Sequence, residues 1–136
     1  MRYYLVDLIS EWEMDTKIRG MKNVTMTEDF LEYHFPKYPV MPGVLLLESM
    51  AQLAGWLEAA SSGFTRWFLI EHVNQCKFYG FARPGDQVEF EIEVLRADGP
   101  THKAYQGVGS VAGQRRIVAE FEGSVQIGRA SCRERV

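Results

Sequence analysis

The chain has 136 residues, of which 46% are hydrophobic and 24% charged, with a formal net charge of -3. That length suits one domain with a core of its own, and the composition is that of a globular protein, not a disordered or fibrous one. The acidic balance and the lack of a basic stripe argue against a nucleic-acid binder. No apolar run approaches the roughly 20 residues of a membrane span and no secretory hydrophobic region opens the chain, so a cytoplasmic enzyme is the expectation.

In chain order, Tyr3 to Ile9 is apolar and aromatic and reads as a short opening strand or turn that packs on the core. Lys17 to Val24 reads as a strand, with Ile18 and either Met21 or Val24 facing inward. Thr27 can cap a short turn or helix through Glu28, Asp29, Phe30 and Leu31. A loop stiffened by Pro36, Pro39 and Pro42 leads into a long helix from about Pro42 to Ala60. Pro42 suits the first helical position, where its missing N–H costs nothing, and Ser61-Ser62-Gly63 ends the helix.

Beyond it the hydrophobic period changes from helical to two. Gln87 to Leu95 is the clearest case, with Val88, Phe90, Ile92 and Val94 on one side and Glu89, Glu91 and Glu93 on the other. Arg66 to Phe78 reads as another strand. Ala97 to Pro100 turns into a strand over His102 to Val111, and Ala112-Gly113-Gln114 turns into one over Arg115 to Val125. The fold class is therefore α+β, one long helix and an antiparallel meander.

From Val44 to Leu57 the helix carries apolar residues on every face, which implies burial on all sides. A sheet wrapped around it, helped by a second subunit, provides that burial and predicts a homodimer. The alternative is a stripe hidden by the curl of the chain's own sheet. Glu48 is the only charge between Lys37 and Glu58. A carboxylate in such surroundings is costly unless paired, and one driven to hold its proton can act as a general acid. Gln52, at i+4, can orient it. A buried Glu that fixes helix register by hydrogen bonds alone is the competing reading. Fourteen residues before Glu48 stands His34, a titratable base presented by the proline-stiffened loop. Gly43 at the helix start offers an unpaired N–H, suited to developing negative charge. Base, oxyanion donor and acid together suit proton abstraction beside a carbonyl with loss of a leaving group.

The segment His34-Phe35-Pro36-Lys37-Tyr38-Pro39-Val40-Met41-Pro42-Gly43-Val44, with Glu48 beyond it, resembles the 3-hydroxyacyl-[acyl-carrier-protein] dehydratases of FabZ type. Asn23-Val24-Thr25, Met50-Ala51-Gln52, Lys77-Phe78 and Arg83-Pro84-Gly85-Asp86 extend the likeness over most of the domain. The resemblance implies a hot-dog fold and a homodimer, alone or as a trimer of dimers, whose sites join His34 of one subunit to Glu48 of the other. It implies dehydration of (3R)-3-hydroxyacyl carrier-protein thioesters to trans-2-enoyl thioesters in fatty-acid biosynthesis. His34 is then the base at C2, Glu48 the acid at the departing hydroxyl, and Gly43 the oxyanion donor. Phe35, Pro42, Val44 and Gln52 are the implied substrate contacts, and no metal or organic cofactor is implied. Acyl carrier protein is the expected partner, with Lys37, Lys77 and Arg83 as docking residues.

Related hot-dog enzymes, an enoyl hydratase, a thioesterase or the dehydratase of a specialised acyl or polyketide pathway, are the alternatives, as is a silent assembly subunit. Many relatives carry Gly before the histidine and Gly-Arg or Gly-His between the prolines, whereas this chain has Tyr33 and Lys37-Tyr38, which leaves chain-length preference open. Cys76 and Cys132 have no metal-type spacing. Ile127 to Val136 abandons the preceding alternation and resembles the translation of a sequencing adaptor. Residues 1–126 are thus read as the domain and 127–136 as a non-native tail, with an ordinary basic tail as the alternative. Removing that tail takes away three Arg and one Glu and shifts the formal charge to -5.

Overall fold

The computed structural model describes residues 4–28, 31 and 39–127. Among them are strands β1 (Leu8–Glu13) and β2 (Lys17–Asn23), helix α1 (Gly43–Ser61), and strands β3 (Arg66–Phe78), β4 (Gln87–Ala97), β5 (His102–Val111) and β6 (Gln114–Ile127). The strands form one antiparallel sheet in the order β1-β2-β4-β5-β6-β3. The opening strand lies later than Tyr3–Ile9. Leu5 instead inserts into the core, 2% exposed, because its apolar side chain has no partner strand to lie on before Leu8.

The alternation in β4 sends Val88, Phe90 and Ile92 against α1, where Leu46, Met50, Leu53 and Leu57 meet them with Ile18, Tyr105, Ile117 and Phe121. In β2 the inward residues are Ile18, Gly20 and Lys22, and Val24 just beyond its end, not Met21, takes the core position. Lys22 is buried there against Glu28 at 2.6 Å. The β5–β6 turn is the two-residue kind that needs positive φ twice, at Ala112 (50°) and Gly113 (80°), and it matches the twist of the paired strands. A turn over residues 25–28 is closed by the Glu28 N–H donating to the Thr25 carbonyl at 3.2 Å, and the Thr27 hydroxyl meets the Thr25 hydroxyl at 3.0 Å, while residues 29 and 30 of the expected short helix lie outside the described residues.

Val44, Glu48 and Trp56, spaced one turn or two apart along α1, form an exposed stripe, so the chain's own sheet does not hide that side by its curl. One expectation about α1 needs correction. The buried helix charge is Glu58, at 0% exposed, and not Glu48. A single curved sheet covers one side of a helix, and the residues at intervals of four on the far side stay open. Strand β6 continues through Ile127, which stands opposite Arg66; the rest of the tail, 128–136, is outside the described residues. Among the described residues the long strand β3 pairs only with β6, which leaves its other edge without a partner strand there, and Leu69 and Val73 of β3 are exposed.

Candidate active site

The described part of the proline loop enters α1 with Val40 and Met41 buried and the Met41 N–H bonded to the Ala82 carbonyl at 2.8 Å. The Arg83–Asp86 turn is closed by the Asp86 carboxylate accepting from the Arg83 N–H at 2.8 Å. Gly85 and Asp86 tie the turn to Val24 through two backbone bonds. These links fix where the helix starts. Pro42 precedes it without a side-chain cap, and the Gly43 N–H has no acceptor among the described residues. A Cβ on Gly43 would stand 2.5 Å from Cε1 of Phe78, so only glycine fits beneath that ring.

Gly43 opens into an apolar cavity of about 330 Å3 bounded by Met41, Val44, Leu46, Phe78 and Phe81. Glu48 opens into a different one, of about 460 Å3, bounded by Tyr4, Gln52, Trp56 and the start of β3 from Trp67 to Ile70. There the Gln52 Nε2 donates to Glu48 Oε1 at 3.3 Å, and Gln52 Oε1 accepts from the Leu5 N–H at 2.9 Å. A backbone N–H can only donate, so the amide is held with its oxygen toward Leu5 and its NH2 toward Glu48. The N-terminal segment therefore orients the carboxylate through Gln52. Nothing in the sequence around Leu5 signals that role, because the contact spans 47 residues.

The geometry thus brings Gln52 to Glu48 and Phe78 to Gly43, and it separates Gly43 from Glu48. Val44 is exposed at the helix start and Pro42 is half-buried. Lys77 and Arg83 are exposed on β3 and on the turn after it. His34, Phe35 and Lys37, with Tyr33 and Tyr38, lie outside the described residues.

At the other end of α1, Glu58 accepts from Lys103 Nζ at 2.9 and 3.0 Å and from the Tyr105 hydroxyl at 2.7 Å. Arg66 Nη2 lies 3.5 Å away and also binds Asp15 at 2.7 Å. Burial, reinforced by the Glu58 hydrogen bond, pushes the Tyr105 phenol far above its ordinary range. Burial also pushes the Asp15 carboxyl upward, but hydrogen bonds and charge from Arg66 and Lys103 outweigh it and hold the group below its usual range. Among the described residues no group of acidic, His and Cys side chains is arranged to hold a metal ion.

A family model for the FabA-like domain matches residues 2–122. The chain belongs to that family. Within it, the chain is 38% identical over 129 residues to the 3-hydroxyacyl-[acyl-carrier-protein] dehydratase FabZ of Bacillus subtilis (strain 168), covering 93% of this chain and 88% of that one. It is 40% identical over 121 residues to the FabZ of Geobacillus sp. (strain WCH70), covering 88% and 81%. Among solved structures, a hot-dog-like protein from Thermanaerovibrio acidaminovorans superposes with a TM-score of 0.70 at 18% identity, covering 91% and 90%. The dehydratase heterocomplex ApeI:P from Xenorhabdus doucetiae gives 0.74 at 14% identity, covering 97% and 88%. The fold is the hot-dog fold, a helix wrapped by a curved antiparallel sheet.

Proposed function

We propose that this FabA-like chain dehydrates (3R)-3-hydroxyacyl thioesters of acyl carrier protein to trans-2-enoyl thioesters and water, as a cytoplasmic hydro-lyase of fatty-acid biosynthesis. Kinship with the FabZ relatives supports the reaction. His34 takes the C2 proton, and the electron pair left on C2 forms the C2–C3 double bond as the C3–O bond breaks. Glu48 gives its proton to the departing hydroxyl, which leaves as water, and the proton held by His34 is then released to restore both groups. The Gly43 N–H carries the charge that develops on the thioester oxygen. Phe35, Pro42, Val44 and Gln52 contact the substrate, and Lys37, Lys77 and Arg83 meet the acidic carrier protein.

The observation that carries the assembly is the separation of Gly43 from Glu48. Five residues of helix place them about 140° apart around the axis and about 7.5 Å along it, in different cavities. That separation supports a site that takes Gly43 and His34 from one subunit and Glu48 from the other. The open stripe on α1 and the unpaired β3 edge support a homodimer, alone or within a trimer of dimers.

Mixing two inactive variants tests this. His34→Ala and Glu48→Gln should each abolish formation of enoyl absorbance. Refolded together, half of the dimers pair unlike chains and each restores one of two sites, about a quarter of full activity. A folded, dimeric mixture that stays silent sinks the shared site. In this reading residues 127–136 are an appended tail, so the assay runs on the full chain and on one ending at Gln126.

A further inference from the structure

After Phe78 the chain leaves the sheet and crosses to the start of α1 as a short strap, residues 79–82. One end is fixed by Ala82, whose carbonyl accepts from Met41 N–H. The other is fixed by a single residue of β6. The Arg116 carbonyl accepts from the Tyr79 N–H at 2.8 Å, and Arg116 Nε donates to the Phe81 carbonyl at 2.9 Å. Between these two bonds the arginine stem lies over Gly80, where an added Cβ would stand 3.1 Å from Arg116 Cδ and 3.5 Å from Nε. Arg116 is half-buried and has no carboxylate partner among the described residues. Its charge is therefore used on a backbone carbonyl, a charge-assisted bond roughly twice as strong as a neutral one.

The strap and the last residue of β3 carry Phe78 and Phe81, two walls of the cavity that opens at Gly43. Both rings are about half exposed, at 54% and 51%, so sheet packing does little to hold them. At about 330 Å3 the cavity is at the small end for a ligand site. We infer that Arg116 is a positioning residue: by latching the strap over Gly80 it fixes the Phe78 and Phe81 walls and so sets the acyl chain length that the cavity admits. This rests on the dehydratase reading above, in which the thioester carbonyl lies at Gly43.

The test is kcat/KM for short-, medium- and long-chain 3-hydroxyacyl carrier-protein thioesters with wild type, Arg116→Ala, Arg116→Lys and Gly80→Ala. Arg116→Ala should flatten the chain-length profile, with the ratio of best to worst substrate falling about tenfold (1.4 kcal/mol by the usual conversion), through KM and not kcat. Arg116→Lys, which keeps a charged donor in reach of the Phe81 carbonyl, should hold the profile close to wild type. Gly80→Ala presses on the arginine stem and should flatten it as Arg116→Ala does; it carries the test if Arg116→Ala does not fold. A flat loss at every chain length, or an unchanged ratio in both variants, overturns the inference while leaving the dehydratase reading in place. A wild type silent on every chain length overturns the dehydratase reading, and the selectivity role falls with it.

Discussion

Helix α1 carries two carboxylates ten residues apart, and their surroundings are opposite. Glu58 is fully buried, and its oxygens are occupied by Lys103 and Tyr105 with Arg66 close by. Glu48 is exposed in the single chain and holds one longer hydrogen bond from Gln52, inside a cavity large enough for a substrate. The buried charge is the structural one: with its acceptor capacity used by fixed donors it fastens the end of the helix to β5, to β3 and to the β1–β2 turn. The carboxylate with spare capacity and an oriented neighbour is Glu48, the one that the proposed function uses as its acid. A charge within an apolar helix marks a functional acid only when its partners leave it something to do.

Several substitutions can break or sharpen that contrast. The largest effect expected is Glu48→Gln, which should lower kcat by about 100- to 10,000-fold, the usual range for a general acid, with little change in Tm. A variant with near-normal turnover would erase the distinction. Glu58→Gln should do the reverse. It strips the charge from the partner of a buried lysine, a loss of about 3 kcal/mol or more, seen as a thermal midpoint lower by on the order of 10 °C. Unchanged melting would show that Asp15, which pairs with both Lys103 and Arg66, suffices to hold them. Gln52→Leu removes the donor that aims Glu48 and should cost on the order of tenfold in kcat, with an unchanged Tm showing that the fold is intact and an unchanged kcat overturning the orienting role.

A stability loss smaller than that of Glu58→Gln belongs to Tyr105→Phe, at about 1.5–3 kcal/mol for one hydrogen bond to a charged group. Here pH gives a second readout. The folded phenol is raised above its unfolded value, so its contribution is complete below about pH 10 and is lost as pH rises beyond it, because only the unfolded tyrosine ionises there. Melting curves of Tyr105→Phe should therefore fall less steeply above about pH 10 than those of the wild type. Parallel curves would mean that the buried hydroxyl is not what the alkaline transition reports.

Most of the architecture was legible residue by residue. The alternation of Val88, Phe90 and Ile92 names both the strand and its inner face, while β5 and β6 were legible as strands but not by face, and in β5 Lys103, Ala104 and Tyr105 are buried in succession. Pro42-Gly43 marks the helix start, and Ala112-Gly113 marks the hairpin turn. The opening strand was misplaced because Leu5 is apolar for the sake of the core and not of a ladder. On the site, the i to i+4 relation of Glu48 and Gln52 is a local property of any helix and came out as expected. The Leu5 link to Gln52 and the Arg116 link to Phe81 span 47 and 35 residues, and no short-range pattern announces either.

The sequence by itself determined the elements, their inward faces and the motif that identifies the family, because backbone periodicity and turn chemistry act over a few residues. Only the tertiary structure decided which carboxylate of α1 is buried. A helix apolar on every face does not say where its sheet will lie. That side is fixed by the strand order, which brings Lys103 and Tyr105 of β5 to Glu58 across 45 and 47 residues and leaves Glu48 open. The same fold puts Gly43 and Glu48 in separate cavities of one chain, a separation that their five-residue spacing on the helix alone does not reveal.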